Sequence, residues 1–99
     1  MELEFAASVF EWRGPAPFYF VALPGEEASD VAELAARVTY GWGMIPVVAT
    51  VGGTTWRTSM FAREGTFVLP LKDVVRKGEG IGVDDEIVVR LRIDDRSTG

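Results

Sequence analysis

The 99-residue sequence contains neither cysteine nor histidine. Without thiols it has no disulfide, no zinc-thiolate or iron–sulfur site and no thiol nucleophile. Without imidazole it lacks the commonest general base, the usual nitrogen ligand of transition metals and the centre of a Ser-His-Asp triad. Only carboxylate, hydroxyl, amine and guanidinium chemistry is left, and we expect no cofactor, no metal and no catalytic residue.

Long apolar runs are also missing. No stretch approaches the roughly 20 apolar residues of a membrane-spanning helix, and residues 1–4 are acidic where a signal peptide would be basic. We therefore predict a cytoplasmic protein that does not engage a membrane. The lack of cysteine fits a reducing compartment.

Positive charge is scarce, and it is unevenly placed. The net charge is −5, which makes nucleic acid an unfavourable partner, because non-specific binding depends on neutralising phosphates. Residues 1–36 hold seven acids and one base, whereas residues 37–92 hold eight bases and six acids. A local basic face in the second half is therefore still compatible with the composition.

Alternating segments separated by turn residues predict a mostly β fold. The predicted strands are residues 2–12, 18–23, 45–51, 54–61, 66–69 and 86–93. Phe10 and Trp12 break the alternation of the first strand, which indicates a bulge or a strand whose second half is covered on both faces. The apolar stripe of residues 29–38 predicts a helix capped by Ser29 or Asp30, and residues 72–78 predict a short helix ended by Gly78 and Gly80.

These elements suit one small six-stranded closed barrel or pseudo-barrel with a capping helix, spanning residues 1–93 and followed by a flexible tail at 94–99. One turn is expected at residues 13–17 and a loop at residues 40–43. The predicted core consists of Leu3, Phe5, Val9, Phe20, Val31, Leu34, Val47, Trp56, Val68, Ile87, Val89 and Leu91.

The run GGTTWRTSMF at residues 52–61 resembles the signature hairpin of the family catalogued as domain of unknown function 1905. The run LPLK at residues 69–72, with Val75, Arg76 and Gly80, resembles that family's second block, and the loop GWG at residues 41–43 also matches. The resemblance covers nearly the whole chain and implies a small double-split barrel in its stand-alone form. It implies no established activity and no catalytic residues.

A shorter stretch, residues 70–87, is similar to the swapped-hairpin barrels of transition-state regulators and antitoxins. In those barrels a proline-led short helix precedes a glycine–aspartate turn and a strand. That likeness implies a dimer that binds DNA.

Three groups of residues are candidate binding sites. Arg57 is suited to clamp a carboxylate or phosphate, with the hydroxyls of Thr55 and Ser59 on its face. Lys72 and Arg76, four residues apart, share one face of the short helix. The simpler interpretation is that Arg57 pairs with a neighbouring carboxylate and that the helix cations are solvated near its C-terminus.

Trp42, in the glycine-rich loop, is a candidate for lining a ligand pocket or a partner surface; the simpler interpretation is a lid over the barrel end. The favoured hypothesis for the whole chain is a non-enzymatic module that binds a small anionic ligand or a protein partner, as a monomer or a homodimer. The alternatives are a DNA-binding regulator and a hydrolase-type enzyme that uses carboxylate, hydroxyl, Arg or Lys groups.

Overall fold

A computed structural model describes residues 1–12, 18–38 and 44–93, without the side chains of residues 35–38. The predicted turn at residues 13–17, the loop at residues 40–43 and the tail at residues 94–99 lie outside these described residues. The structure confirms a mostly β fold, in which six antiparallel strands close into a barrel and two helices accompany them.

The strands follow the alternating segments of the sequence with small shifts at their ends. They are β1 (Glu2–Trp12), β2 (Phe18–Ala22), β3 (Met44–Val51), β4 (Thr54–Arg63), β5 (Thr66–Leu71) and β6 (Glu86–Arg92). Around the barrel the order is β1-β2-β5-β4-β3-β6. β5 continues through Pro70, which lies opposite Phe20 of β2, and so extends two residues beyond the predicted end at residue 69.

The barrel interior is filled by the inward-facing residue of every second position, as period two requires. Of the predicted core, all but Leu3 are buried, and Leu3 packs against the core while partly exposed. Phe20 and Val68 are buried but lie outside the continuous interior cluster. Phe20 instead belongs to a second apolar layer on the outer face of the sheet.

The first helix, α1 (Gly25–Val38), begins four residues before the predicted start at residue 29. The amide of Ala28 donates to the carbonyl of Pro24 at 2.8 Å, so the helical hydrogen bonds already begin there. Glu26 and Glu27 occupy the first turn, where the helix dipole favours negative charge. Ser29 and Asp30 therefore lie within the helix, and the prediction that either caps it is wrong.

The second helix, α2 (Asp73–Glu79), is shifted by one residue from the predicted 72–78. Gly78 lies inside it, and Gly80 alone ends it in the left-handed conformation, with φ 66°. The amides of Gly80 and Ile81 both donate to the carbonyl of Arg76, a common way to satisfy the last carbonyls of a helix. Val75 is fully buried and holds the helix to the barrel.

The C-terminal end of α2 is tied to the hairpin between β3 and β4. The Thr54 hydroxyl donates to the Glu79 carboxylate at 2.5 Å. Gly52, in the hairpin turn, has φ 59°, and a β-carbon there would stand only 2.1 Å from Glu79 Oε1. The carboxylate therefore lies against the glycine backbone and links the last turn of α2 to the hairpin.

Candidate binding surfaces

Arg57, Thr55 and Ser59 share the outer face of β4, as the alternation predicted, while Trp56 and Met60 point into the core. Thr55 lies opposite Thr50 of β3, and their hydroxyl oxygens are 2.9 Å apart. The Arg57 side chain is exposed, and within the part of the chain that the structure describes it forms no ion pair. The predicted pairing of Arg57 with a carboxylate on a neighbouring strand is therefore absent from those residues.

The pairing of strands adds two arginines that the sequence did not associate with Arg57. Val48 of β3 lies opposite Arg57 on one side and opposite Arg92 of β6 on the other. Two strand spacings place the α-carbons of Arg57 and Arg92 about 10 Å apart. Arg90 lies on the same outer face of β6, and its Nε is 3.7 Å from the Glu4 carboxylate. We call Arg57, Arg90 and Arg92 the basic face.

The two predicted helix cations have different surroundings. The guanidinium of Arg76 lies 3.5 Å from the centre of the Tyr19 ring, and its Nη2 donates to Asp73 at 3.0 Å. Only 18% of the Arg76 side chain is exposed. Lys72 is exposed at the start of α2. Arg76 is therefore already engaged within the fold, which weakens the prediction that it joins Lys72 in holding a ligand.

Trp42, the remaining predicted site residue, lies outside the described residues. A different set of aromatic side chains forms a partly exposed apolar surface on the outside of the barrel. We call it the aromatic cluster: Phe10 and Trp12 of β1, Phe18 and Phe20 of β2, and Phe61 of β4.

Phe20 is the centre of the aromatic cluster. Its ring centroid is 5.8 Å from Phe10, 6.0 Å from Trp12 and 6.5 Å from Phe18. Phe61 meets it edge to face, also at 5.8 Å, and these distances are those of favourable ring pairs. A bulge does not explain the broken alternation of β1, because the described pairing of the strand runs without interruption. In its second half the strand also packs on its outer face, where Phe10 and Trp12 lie against Phe20.

The rim of the aromatic cluster stays in contact with water. Trp12 is 42% exposed and Phe18 is 57% exposed, whereas Phe20 is buried. Met44, directly opposite Phe61, adds a further exposed apolar side chain. Arg63 of β4 places its guanidinium 3.7 Å from the centre of the Trp12 ring, an attractive cation–π geometry.

Arg63 also lines a cleft of about 550 Å³ between α1 and the turn that joins β4 to β5. Small side chains of α1, among them Ala28, Ser29 and Ala32, form one wall. The Thr66 hydroxyl at the other wall donates to the carbonyl of Leu23 at 2.9 Å. The cleft is open to solvent and few polar groups line it. It forms a concave continuation of the surface around Arg63.

Within residues 1–12, 18–38 and 44–93, no group of three or more acidic side chains is arranged to hold a metal ion. None of the helices in the same ranges is both long and apolar enough to cross a membrane. Against this background the two outer surfaces, one basic and one aromatic, are the chemically distinctive features of the described structure.

Comparison with known proteins places the chain in a family. No curated protein matched it. A family model, described as "Domain of unknown function (DUF1905)", matches residues 5–91, which include all of β2 to β5, most of β1 and β6, and the aromatic cluster, while Arg92 of the basic face lies one residue beyond the match. The expected resemblance is thereby confirmed, and the chain belongs to the family of domains of unknown function DUF1905.

Proposed function

We propose that this chain is a non-enzymatic interaction module that binds a protein partner through the aromatic cluster. The observation that carries this proposal is the exposure of Trp12 and Phe18 around the buried Phe20. Trp, Phe, Met and Arg are enriched at protein interfaces, and Trp and Arg are enriched among the residues that dominate binding energy. Arg63 and Met44 supply the last two types beside the rings.

The size of the surface favours a short partner segment. An aromatic side chain offers about 150–250 Å² for burial, so the exposed parts of Trp12 and Phe18 amount to about 200 Å². A stable interface buries about 800 Å² on each partner. The aromatic cluster alone therefore does not support a stable homodimer, whereas it is large enough to anchor one or two apolar side chains of another protein.

The basic face supports an anionic partner group more than a free small anion. Arg57, Arg90 and Arg92 lie exposed on the outside of a barrel wall, where water competes for each guanidinium. A small anion would gain little from such a flat site, because most ligand pockets bury the greater part of their ligand. An anionic group carried by a protein would be held in place by contacts elsewhere.

The hydrolase alternative has less support from the cleft. Its threonine hydroxyl, on Thr66, donates to a backbone carbonyl, and Arg63 stacks on Trp12. Glu64, the acidic residue at its rim, is exposed and 3.7 Å from Arg63 Nε. General acid–base catalysis needs a group within reach of a bound substrate and a tuned environment, and these groups are engaged or solvated.

The DNA-binding alternative rested on a likeness to swapped-hairpin barrels. Here β6 pairs with β1 and β3 of the same chain, and the turn before it is bound to β1 through Val9 and the backbone of Asp84 and Asp85. The barrel thus closes without exchange of a hairpin. A cytoplasmic location is part of the proposal and rests on the cysteine-free composition.

A peptide selection tests the proposed function. A display library of random peptides of about twelve residues is selected on the immobilised protein, and the enriched peptides are measured against a variant carrying Trp12→Ser and Phe18→Ser. We expect that variant to lose about thirtyfold or more in affinity, because truncating central aromatic residues costs about 2 kcal/mol or more. Circular dichroism checks that the variant keeps the barrel.

The matched control is Val88→Ser, which removes another exposed apolar side chain, 54% accessible, on the outside of β6. We expect it to leave peptide affinity within a factor of two. A selection that enriches no binding peptide, or peptides that bind the double variant as tightly as the unchanged protein, would overturn the proposed function.

A further inference from the structure

The outer face of a single strand connects the aromatic cluster to the basic face. Along β4 the outward positions are Thr55, Arg57, Ser59, Phe61 and Arg63. At about 3.3 Å per residue, Arg57 lies about 13 Å from Phe61 and about 20 Å from Arg63 along the strand. Phe61 belongs to the aromatic cluster and Arg63 contacts it, so one line of side chains reaches both surfaces.

The two ends of this line have different chemistry. At one end are rings that favour an apolar anchor. At the other end Arg57 and Arg92 flank the half-buried Val48, and neither arginine forms an ion pair within the described ranges. Arg90, by contrast, is beside Glu4. Arg57 and Arg92 are thus two cations available for an anionic group on an otherwise acidic protein.

We infer that the partner is an extended protein segment with an apolar residue on the aromatic cluster and acidic residues four to six positions away, on Arg57 and Arg92. This inference rests on the proposed function and specifies its partner. In an extended segment, side chains four residues apart point the same way and lie about 13 Å apart, which matches the spacing from Phe61 to Arg57. Carboxylates suit the planar guanidinium fork.

Charge favours an acidic peptide over a nucleic acid, although aromatic rings with arginines also suit single strands. The chain has a net charge of −5, and Glu2 and Glu4 of β1 lie opposite Arg92 and Arg90 of β6. A continuous row of phosphates would pass these acids, whereas one or two carboxylates need only Arg57 and Arg92. The hydroxyls of Thr50 and Thr55 border the same site, and a hydroxyl can donate a hydrogen bond to a carboxylate.

The test uses the peptides enriched on the unchanged protein. Each peptide is synthesised in fluorescent form, together with a version in which every Asp and Glu is replaced by the amide, and affinity is measured by anisotropy. The protein variants are Arg57→Gln with Arg92→Gln, and Lys77→Gln as the control, because Lys77 is an exposed cation on α2, outside both surfaces. A single-stranded oligonucleotide mixture is titrated in parallel.

We expect enriched peptides to carry acidic residues four to six positions from an aromatic or large aliphatic residue. The amide versions and the double arginine variant should each weaken binding tenfold or more and flatten its salt dependence, while Lys77→Gln should change affinity less than twofold. Peptides that require Trp12 and Phe18 but are indifferent to Arg57 and Arg92 would overturn this inference and leave the proposed function standing. Oligonucleotide binding that is tighter than peptide binding and lost in the double arginine variant would also overturn it.

Discussion

The guanidinium of Arg63 lies 3.7 Å from the centre of the Trp12 ring, although the two residues belong to strands that are not neighbours in the barrel. The contact spans the outer face above β2 and β5. It thereby ties the end of β1 to the end of β4. The rim of the aromatic cluster is therefore held in place by a side-chain contact in addition to the backbone pairing of the strands.

This contact should be measurable as a coupling energy. In a double-mutant cycle with Arg63→Ala and Trp12→Leu, followed by urea unfolding, we expect an interaction free energy of about 0.5–1 kcal/mol. The same cycle with Arg57→Ala in place of Arg63→Ala serves as control and should show no coupling. Equal couplings in the two cycles would contradict the assignment of a specific cation–π contact.

Gly52 and Gly53 should respond differently to substitution by alanine. Gly52→Ala forces φ 59° on a residue with a β-carbon and displaces the Glu79 carboxylate, so we expect the free energy of unfolding to fall by about 2 kcal/mol. Gly53 has open space around it, and Gly53→Ala should change stability by no more than about 0.5 kcal/mol. Thermal or urea unfolding of both variants tests this prediction. Equal losses of stability in Gly52→Ala and Gly53→Ala would contradict this account of the turn.

Two adjacent threonines provide a similar comparison. Thr54→Val keeps the shape of the side chain but removes the hydrogen bond to Glu79, and we expect a loss of about 1–2 kcal/mol because the acceptor is charged and partly buried. Thr55→Val, which breaks only the exposed contact with Thr50, should cost less than about 0.5 kcal/mol. Hydrogen exchange should also show faster opening of α2 in Thr54→Val alone. A larger loss for Thr55→Val would contradict the proposed anchoring of α2.

Arg76 should behave as a structural residue. Arg76→Met keeps most of the alkyl chain but removes the contacts with Tyr19 and Asp73, and we expect a loss of about 1–2 kcal/mol. Lys77→Met, at the neighbouring exposed position, should stay within about 0.5 kcal/mol. Peptide affinity should be unchanged in both variants if they remain folded. A stable Arg76→Met protein that no longer binds peptide would instead return Arg76 to the binding site.

Local patterns were enough to predict the strands and the inward-facing residues. Period two assigns a face to each position, so the placement of Arg57, Thr55 and Ser59 outside and of Trp56 inside follows from β4 alone. The start of α1 was missed because Ser29 and Asp30 are good caps in isolation. The helical hydrogen bonds begin instead at the carbonyl of Pro24. That start depends on where the preceding strand, β2, positions the backbone.

The two outer surfaces depend on contacts between distant segments. Arg92 becomes a neighbour of Arg57 only because β3 pairs with both β4 and β6, and no local pattern contains that register. The aromatic cluster did leave a signal, since Phe10 and Trp12 occupy the polar face of β1. The sequence did not identify the ring that Phe10 and Trp12 contact, because Phe20 resembles an ordinary core residue until the face of β2 on which it lies is known.

Closure of the barrel has a consequence for how recognition can evolve. Each of the six strands is hydrogen-bonded to a neighbour on both sides within the described structure, so none of them is an edge strand that a partner strand could extend along its whole length. Under the proposed function, recognition then depends on side chains of the outer wall, which contribute little to the interior packing. Substitutions among those side chains would change the partner at small cost in stability, so the same scaffold could serve different partners.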